Sequence, residues 1–174
     1  NFITNYNTSP DYAQQIAQSA NIRGMATGTK TLVLGSSDYL YAVVFYDSYG
    51  RSVQTQQKNY SSGTDVSTVQ YSYGGIVLRS HLAHSKAGTN AQTHTMLTKY
   101  TYDHAHRLLS LTKSADGLAD KILSQLTYAE TGQVQQKVFG STVETQQYSY
   151  NISGQLTGIN SGYVTTPNAT TAYF

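Results

Sequence analysis

The chain has 174 residues, a net charge of +2, no cysteine, and only 11% charged side chains against 16 tyrosines and no tryptophan. That length suits one domain with a modest core; the missing cysteines exclude disulfides and thiolate-held zinc, and the weak charge, with no Lys/Arg run, argues against a nucleic-acid partner or an acidic membrane surface. No apolar stretch reaches the roughly 20 residues of a helical membrane span, and the aromatic share of 11% argues against a disordered chain.

Residues 1–30 are the least regular and are expected to form a connector. They begin Asn1-Phe2-Ile3-Thr4-Asn5, with neither an initiator Met nor a signal-peptide pattern, so an excerpt of a longer chain is expected. Ser9-Pro10-Asp11 suits a helix start, with Ser9 as N-cap and Pro10 in the first position. Tyr12, Ile16 and Ala20 would then share a face. A short helix and an irregular arm both fit.

From residue 31 to 174 the texture changes to short alternating runs broken by turn residues, the period of half-buried strands. Strands are expected near 31–34, 39–46, 51–60, 66–73, 76–84, 93–102, 107–113, 121–128, 133–139, 142–150 and 155–160. The run 39–46 is apolar enough to be buried on both faces, and Gly74-Gly75 is a two-residue hairpin signal. Residues 118–123 suit a helix by propensity, but Asp116-Gly117 before them and Leu126-Thr127-Tyr128 after them favour a hairpin. Short strands with closely spaced turns define an all-β, antiparallel fold.

An internal repeat underlies these strands. Aligned on Tyr46, Tyr73, Tyr102, Tyr128 and Tyr150, it recurs every 22 to 29 residues. Its members are Tyr46-Asp47-Ser48-Tyr49-Gly50-Arg51, Tyr71-Ser72-Tyr73-Gly74, Tyr100-Thr101-Tyr102-Asp103 with Arg107, Tyr128 with Gly132, and Tyr148-Ser149-Tyr150-Asn151 with Gly154. Each position has a physical task. The paired tyrosines end a strand on one face, where their rings are expected to stack on neighbouring repeats. Asp or Asn bonds a backbone N–H two residues on and starts a turn, and Gly supplies the positive φ that closes it. One such hairpin cannot bury its own apolar face, so successive hairpins must stack into a sheet.

The Tyr-Asp-x-x-Gly-Arg element resembles the YD repeat of Rhs proteins. The text around it is similar to the large Rhs-type proteins of Bacteroidetes: Thr27-Gly28-Thr29-Lys30, Gly63-Thr64-Asp65, Leu97-Thr98-Lys99-Tyr100-Thr101-Tyr102-Asp103-His104, and Tyr150-Asn151-Ile152-Ser153-Gly154-Gln155-Leu156. The resemblance covers residues 24–174. It implies a solenoid-like or shell-like β-sheet that encloses or displays an effector domain, secreted or at the cell surface. His106 stands where the turn glycine is usual, and Ala129, Glu130 and Gln133 replace the usual Asp and Arg types; turns of different shape are expected there.

Enzyme chemistry has little to build on. His81 and His84 are three apart on a strand and so face opposite ways, which is poor for one metal. Asp47, Asp103 and Asp116 occupy turn positions, so turn-making is their expected role rather than paired acid–base catalysis. No nucleophile elbow, Walker loop or dinucleotide fingerprint occurs. The expectation is therefore a non-enzymatic scaffold with no catalytic, cofactor or metal residues. Its expected partners are other YD repeats of the same or identical chains, an enclosed effector domain, or surface glycans stacked on tyrosines. Two alternatives stand beside the shell wall: a self-assembling extracellular fibre joined through strand edges, and a Tyr-rich adhesin or glycan-binding module. Asn7, Asn59, Asn151 and Asn168 begin Asn-x-Ser/Thr sequences, a weak glycosylation signal in which Asn151 is better read as a turn residue.

Overall fold

The computed structural model describes residues 1–4, 6, 15–141 and 143–161. The fold is all-β. Its strands are β1 (Gly28–Leu32), β2 (Tyr39–Tyr46), β3 (Ser52–Lys58), β4 (Thr64–Tyr71), β5 (Val77–Lys86), β6 (Gln92–Tyr102), β7 (Leu108–Ala115), β8 (Lys121–Tyr128), β9 (Val134–Phe139), β10 (Glu144–Tyr150) and β11 (Leu156–Ile159). Within each compact unit strand order follows the chain, so each strand lies beside its neighbours in sequence. Short polar turns leave little room for any crossover, and a meander of hairpins results. The contacts divide the chain into two compact units, Asn1–Thr98 with Ala115–Leu118, and Lys99–Ser114 with Ala119–Phe174.

In the first unit, β2 to β5 pair antiparallel in a register set by Gln54↔Thr68 and Thr68↔His81. The register slips at Phe45/Tyr46 and again at Gln70/Tyr71, leaving Val53 and Leu78 as the extra residues of two β-bulges. A bulge turns its extra side chain and tightens the local twist. Both are put to use here: Val53 and Leu78 are 4% and 6% exposed. Ile16 is the third buried apolar residue among those described, and the rest of the interior is polar, with Gln54, Thr68, Gln70 and Arg79 all buried. Gln54 shows how such an interior is satisfied. Its amide donates to Thr68 Oγ1 and to the carbonyl of Ile3, each at 3.0 Å, and its oxygen accepts the Ile3 N–H at 3.0 Å. Gln56 Nε2 donates to the Asn1 carbonyl at 2.9 Å, and Phe2 meets Phe45 edge-on. The first residues thus lie as an extended arm on the sheet.

Three expectations change. Residues 1–30 are not wholly irregular, because β1 begins at Gly28. Most of the suggested helix lies outside the described residues, and 15–19 carry no helix. The second strand is not buried on both faces. Tyr39, Tyr41 and Val43 are exposed because β1 places only Leu32, Lys30 and Gly28 opposite them. The Lys30 ammonium lies 3.8 Å from the Tyr39 ring centre, a cation–π cover in place of an apolar one.

In the second unit, β7 to β11 pair antiparallel in sequence order, and the bulge recurs at Thr127/Tyr128 and Ser149/Tyr150. Residues 118–123 enter a strand rather than a helix, since β8 starts at Lys121. Asn160 ties the chain after β11 back to β10. Its N–H donates to the Gln147 carbonyl at 2.8 Å, and its side-chain oxygen accepts the Gln147 N–H at 2.7 Å.

Candidate functional site

The repeat residues assemble a clamp between successive turns. In the first turn, Asp47 Oδ1 accepts the N–H groups of Tyr49 and Arg51, both at 2.9 Å, and Oδ2 accepts Arg51 Nε at 2.6 Å. Gly50 N–H donates to the Asp47 carbonyl at 3.1 Å, and Asp47 N–H donates to the Arg51 carbonyl at 3.0 Å. Gly50 takes φ 77°, which a side chain would strain. Arg51 then reaches forward. Its Nη1 donates to the Ser72 carbonyl at 2.9 Å, and the guanidinium lies 4.8 Å from the Tyr49 ring centre and 4.9 Å from that of Tyr71. Tyr71 returns the contact, its hydroxyl donating to the Ser52 carbonyl at 3.0 Å.

The same unit is rebuilt at Asp103. Its Oδ1 accepts Ala105 N–H at 2.9 Å and Arg107 N–H at 2.8 Å, and Oδ2 accepts Arg107 Nε at 2.7 Å. The backbone bond from Arg107, with Ala105 and the guanidinium adding to it against desolvation, holds the Asp103 carboxyl below its ordinary range. The Arg107 guanidinium sits 4.4 Å from the Tyr128 ring centre, and the Tyr128 hydroxyl donates to the Leu108 carbonyl at 2.8 Å. Tyr150 does likewise to Val134 at 3.0 Å, and Tyr46 donates to the Ala26 carbonyl at 2.8 Å. Asn151 accepts the N–H groups of Ser153 and Gln155 just as the aspartates do.

The geometry corrects the repeat in three places. The rung tyrosine of the second repeat is Tyr71, not Tyr73. Ser72 opens that turn, with Oγ accepting Ile76 N–H at 3.1 Å, so a serine hydroxyl does the work of the missing aspartate. The positive φ falls on Gly75 rather than Gly74. The loop is accordingly a five-residue turn with a bulge, not a two-residue hairpin. Departures at His106 and at Ala129–Gln133 do not change turn shape: His106 adopts φ 61° and donates to the Asp103 carbonyl, and Gly132 donates to Ala129, both as Gly50 does to Asp47. Tyrosine stacking between rungs is replaced by hydroxyl-to-carbonyl bonds and guanidinium contacts. Among the described residues, the one tyrosine pair between adjacent turns is Tyr49 with Tyr73, edge-on at 6.0 Å.

The remaining candidates take local partners. The Tyr148 hydroxyl donates to Gln146 Oε1 at 2.7 Å. Burial, and then the nearby Tyr100 phenol, push the Tyr102 phenol up. His81 stacks on Tyr6 at 3.9 Å, and burial lowers its pKa. His84 Nδ1 lies 2.6 Å from Asp65, so the two histidines serve different neighbours. Asp116 holds a turn at φ 50° and accepts Thr95 N–H, with His94 at 2.9 Å. Among the described residues no three His, Cys, Asp or Glu side chains gather as a metal cluster. The Asn59 side chain is engaged by Asp65 and the Ser85 carbonyl. Sequence reasoning missed the acceptors Ser52, Leu108 and Val134. They take part through backbone carbonyls, which leave no trace in residue type, although each stands one residue past the Arg position.

No protein-family model matches this chain, and no significantly similar curated protein is found.

Proposed function

We propose that this chain is a stretch of structural wall: a YD-repeat, Rhs-type β-scaffold that encloses or displays another domain, outside the cell or on its surface. The observation that carries this reading is the reciprocal clamp, in which Arg51 reaches the Ser72 carbonyl while Tyr71 reaches back to the Ser52 carbonyl. Its hydroxyl half recurs at Tyr128 and Tyr150. Such a device spends its charged and polar groups on rigidity. Aspartate, arginine and tyrosine here satisfy one another and the backbone, as a passive wall requires. Negative-stain electron microscopy with intact mass of the native material tests the reading. Hollow particles built from a chain much heavier than 19.0 kDa support it; regular fibres of a chain of that mass sink it.

The fibre alternative has one observation in its favour. β1 and β11 stand at the two ends of the strand order, and strand ends of this kind template further pairing. Growth of light scattering with concentration would favour it over the wall.

A further inference from the structure

The arm at residues 1–4 shows how this sheet holds an extended peptide, and the second unit carries a glutamine at the matching place in its own register. In the first unit, Gln54 stands three residues past the turn residue Arg51 and pairs with Phe45, the residue before the rung tyrosine. Its side-chain amide meets both the N–H and the carbonyl of Ile3, a two-point contact that reads backbone rather than side chain. In the second unit, Gln136 stands three residues past Gln133 and pairs with Thr127, again the residue before the rung tyrosine. Gln125 lies two residues before Thr127 on the same face of β8.

Around these amides runs a groove of about 450 Å³, lined by Thr101, Leu109, Ser110, Thr127 and Val138 together with Gln125 and Gln136. Leu109 follows Arg107 by two residues, as Val53 follows Arg51. Val53 is buried and shares a cavity with Ile16, whereas Leu109 is 36% exposed. Gln125 and Gln136 each carry a side-chain amide with both donor and acceptor capacity, and among the described residues no side-chain hydrogen bond engages either.

We propose that this groove over β7, β8 and β9 binds an extended polypeptide segment. Gln136 and Gln125 would pair with its backbone N–H and C=O groups, and Leu109 and Val138 would receive an apolar side chain. The partner is an extended peptide with apolar residues flanked by polar ones, of which Asn1-Phe2-Ile3-Thr4 is the form already seated in the first unit. Recognition through backbone implies tolerance of sequence and intolerance of a blocked amide. The inference rests on the two seats alone and is independent of the shell reading.

The test uses the full chain, isotopically labelled, titrated with the capped peptide Asn-Phe-Ile-Thr-Asn. Expected are saturable shifts of the Gln125 and Gln136 side-chain amide signals. Gln136→Ala should weaken binding roughly fivefold or more through the lost hydrogen bonds, and Gln125→Ala should act in the same direction as an independent check. A peptide N-methylated at Ile should not bind. Shifts confined to Gln54 and Gln56, the absence of saturation, or equal binding of the N-methylated peptide would each overturn the proposal.

Discussion

Tyr71 and Ser52 lie 19 residues apart and are joined by one 3.0 Å hydrogen bond from phenol to carbonyl. Ser52 is the first residue of β3 beyond the turn, where the bulge at Phe45/Tyr46 disturbs the regular ladder. Ser52 pairs with Tyr46 of β2, but the ladder between β3 and β4 starts only at Gln54, and a carbonyl beyond the end of a ladder needs another donor. The Tyr71 hydroxyl supplies it from the next rung.

Tyr128→Phe isolates this bond, because the ring stays under Arg107 and only the donor to Leu108 is lost. The expected cost is about 1 kcal/mol. Tyr128→Ala removes the ring as well and should cost about 3 kcal/mol. Urea denaturation of both variants checks the order. Equal losses would mean that the hydroxyl, not the ring, carries the rung.

His106 occupies a left-handed conformation, φ 61°, inside a turn whose hydrogen bonds match those built on Gly50. A non-glycine residue there is strained, so His106→Gly should stabilise the protein, by about 1 kcal/mol once the greater freedom of glycine in the unfolded chain is counted. His106→Val should destabilise it, since a β-branched side chain tolerates that region poorly. Thermal denaturation distinguishes the two.

The turn at Ala129–Gln133 has the shape of those at Asp47 and Asp103 but lacks their ion pair. Gly132 and Gln133 keep the backbone bonds, and Gln133 Oε1 accepts from Thr131 at 2.7 Å. Ala129→Asp with Gln133→Arg should rebuild the pair seen at Asp103 and Arg107. Ala129→Asp alone should gain about 1 kcal/mol by accepting the two backbone N–H groups that Asp103 and Asn151 accept. Gln133→Arg alone should be near neutral, and the pair should add about 0.5 kcal/mol more. A double-mutant cycle reads the coupling directly.

These turns also show what was legible beforehand. The tyrosines, the turn acids and most turn glycines were readable because each meets a local requirement, and the strands followed from period-two alternation. The second rung is ambiguous in sequence because Tyr71 and Tyr73 are both tyrosines, and the bonds that pick one, from Tyr71 to the Ser52 carbonyl and from Ile76 to Ser72 Oγ, exist only in space. The role of Gln54 was invisible. A buried glutamine announces itself only when its partner, here the backbone of Ile3, is known in space.

Acid should weaken the fold in two stages, for two different reasons. Burial lowers the pKa of His81 below its ordinary 6.5, so the unfolded chain takes up that proton first. Its contribution is fully present above 6.5, and stability falls as pH drops from there toward the folded value. The second stage belongs to acids held below their ordinary 3.8. Desolvation raises Asp65, but bonds from Asn59, His84 and Gln57 outweigh it; Asp103 is lowered first by the Arg107 N–H, and Asp116 first by His94. For these the folded state holds fewer protons, so their stabilisation is present above 3.8 and is lost as pH falls through the folded values. His81→Phe keeps an aromatic ring against Tyr6 and should abolish the upper stage alone, while Asp103→Asn should shrink only the lower one. Denaturation midpoints measured across pH in the three proteins separate the stages; an upper stage that survives in His81→Phe would assign it to another group.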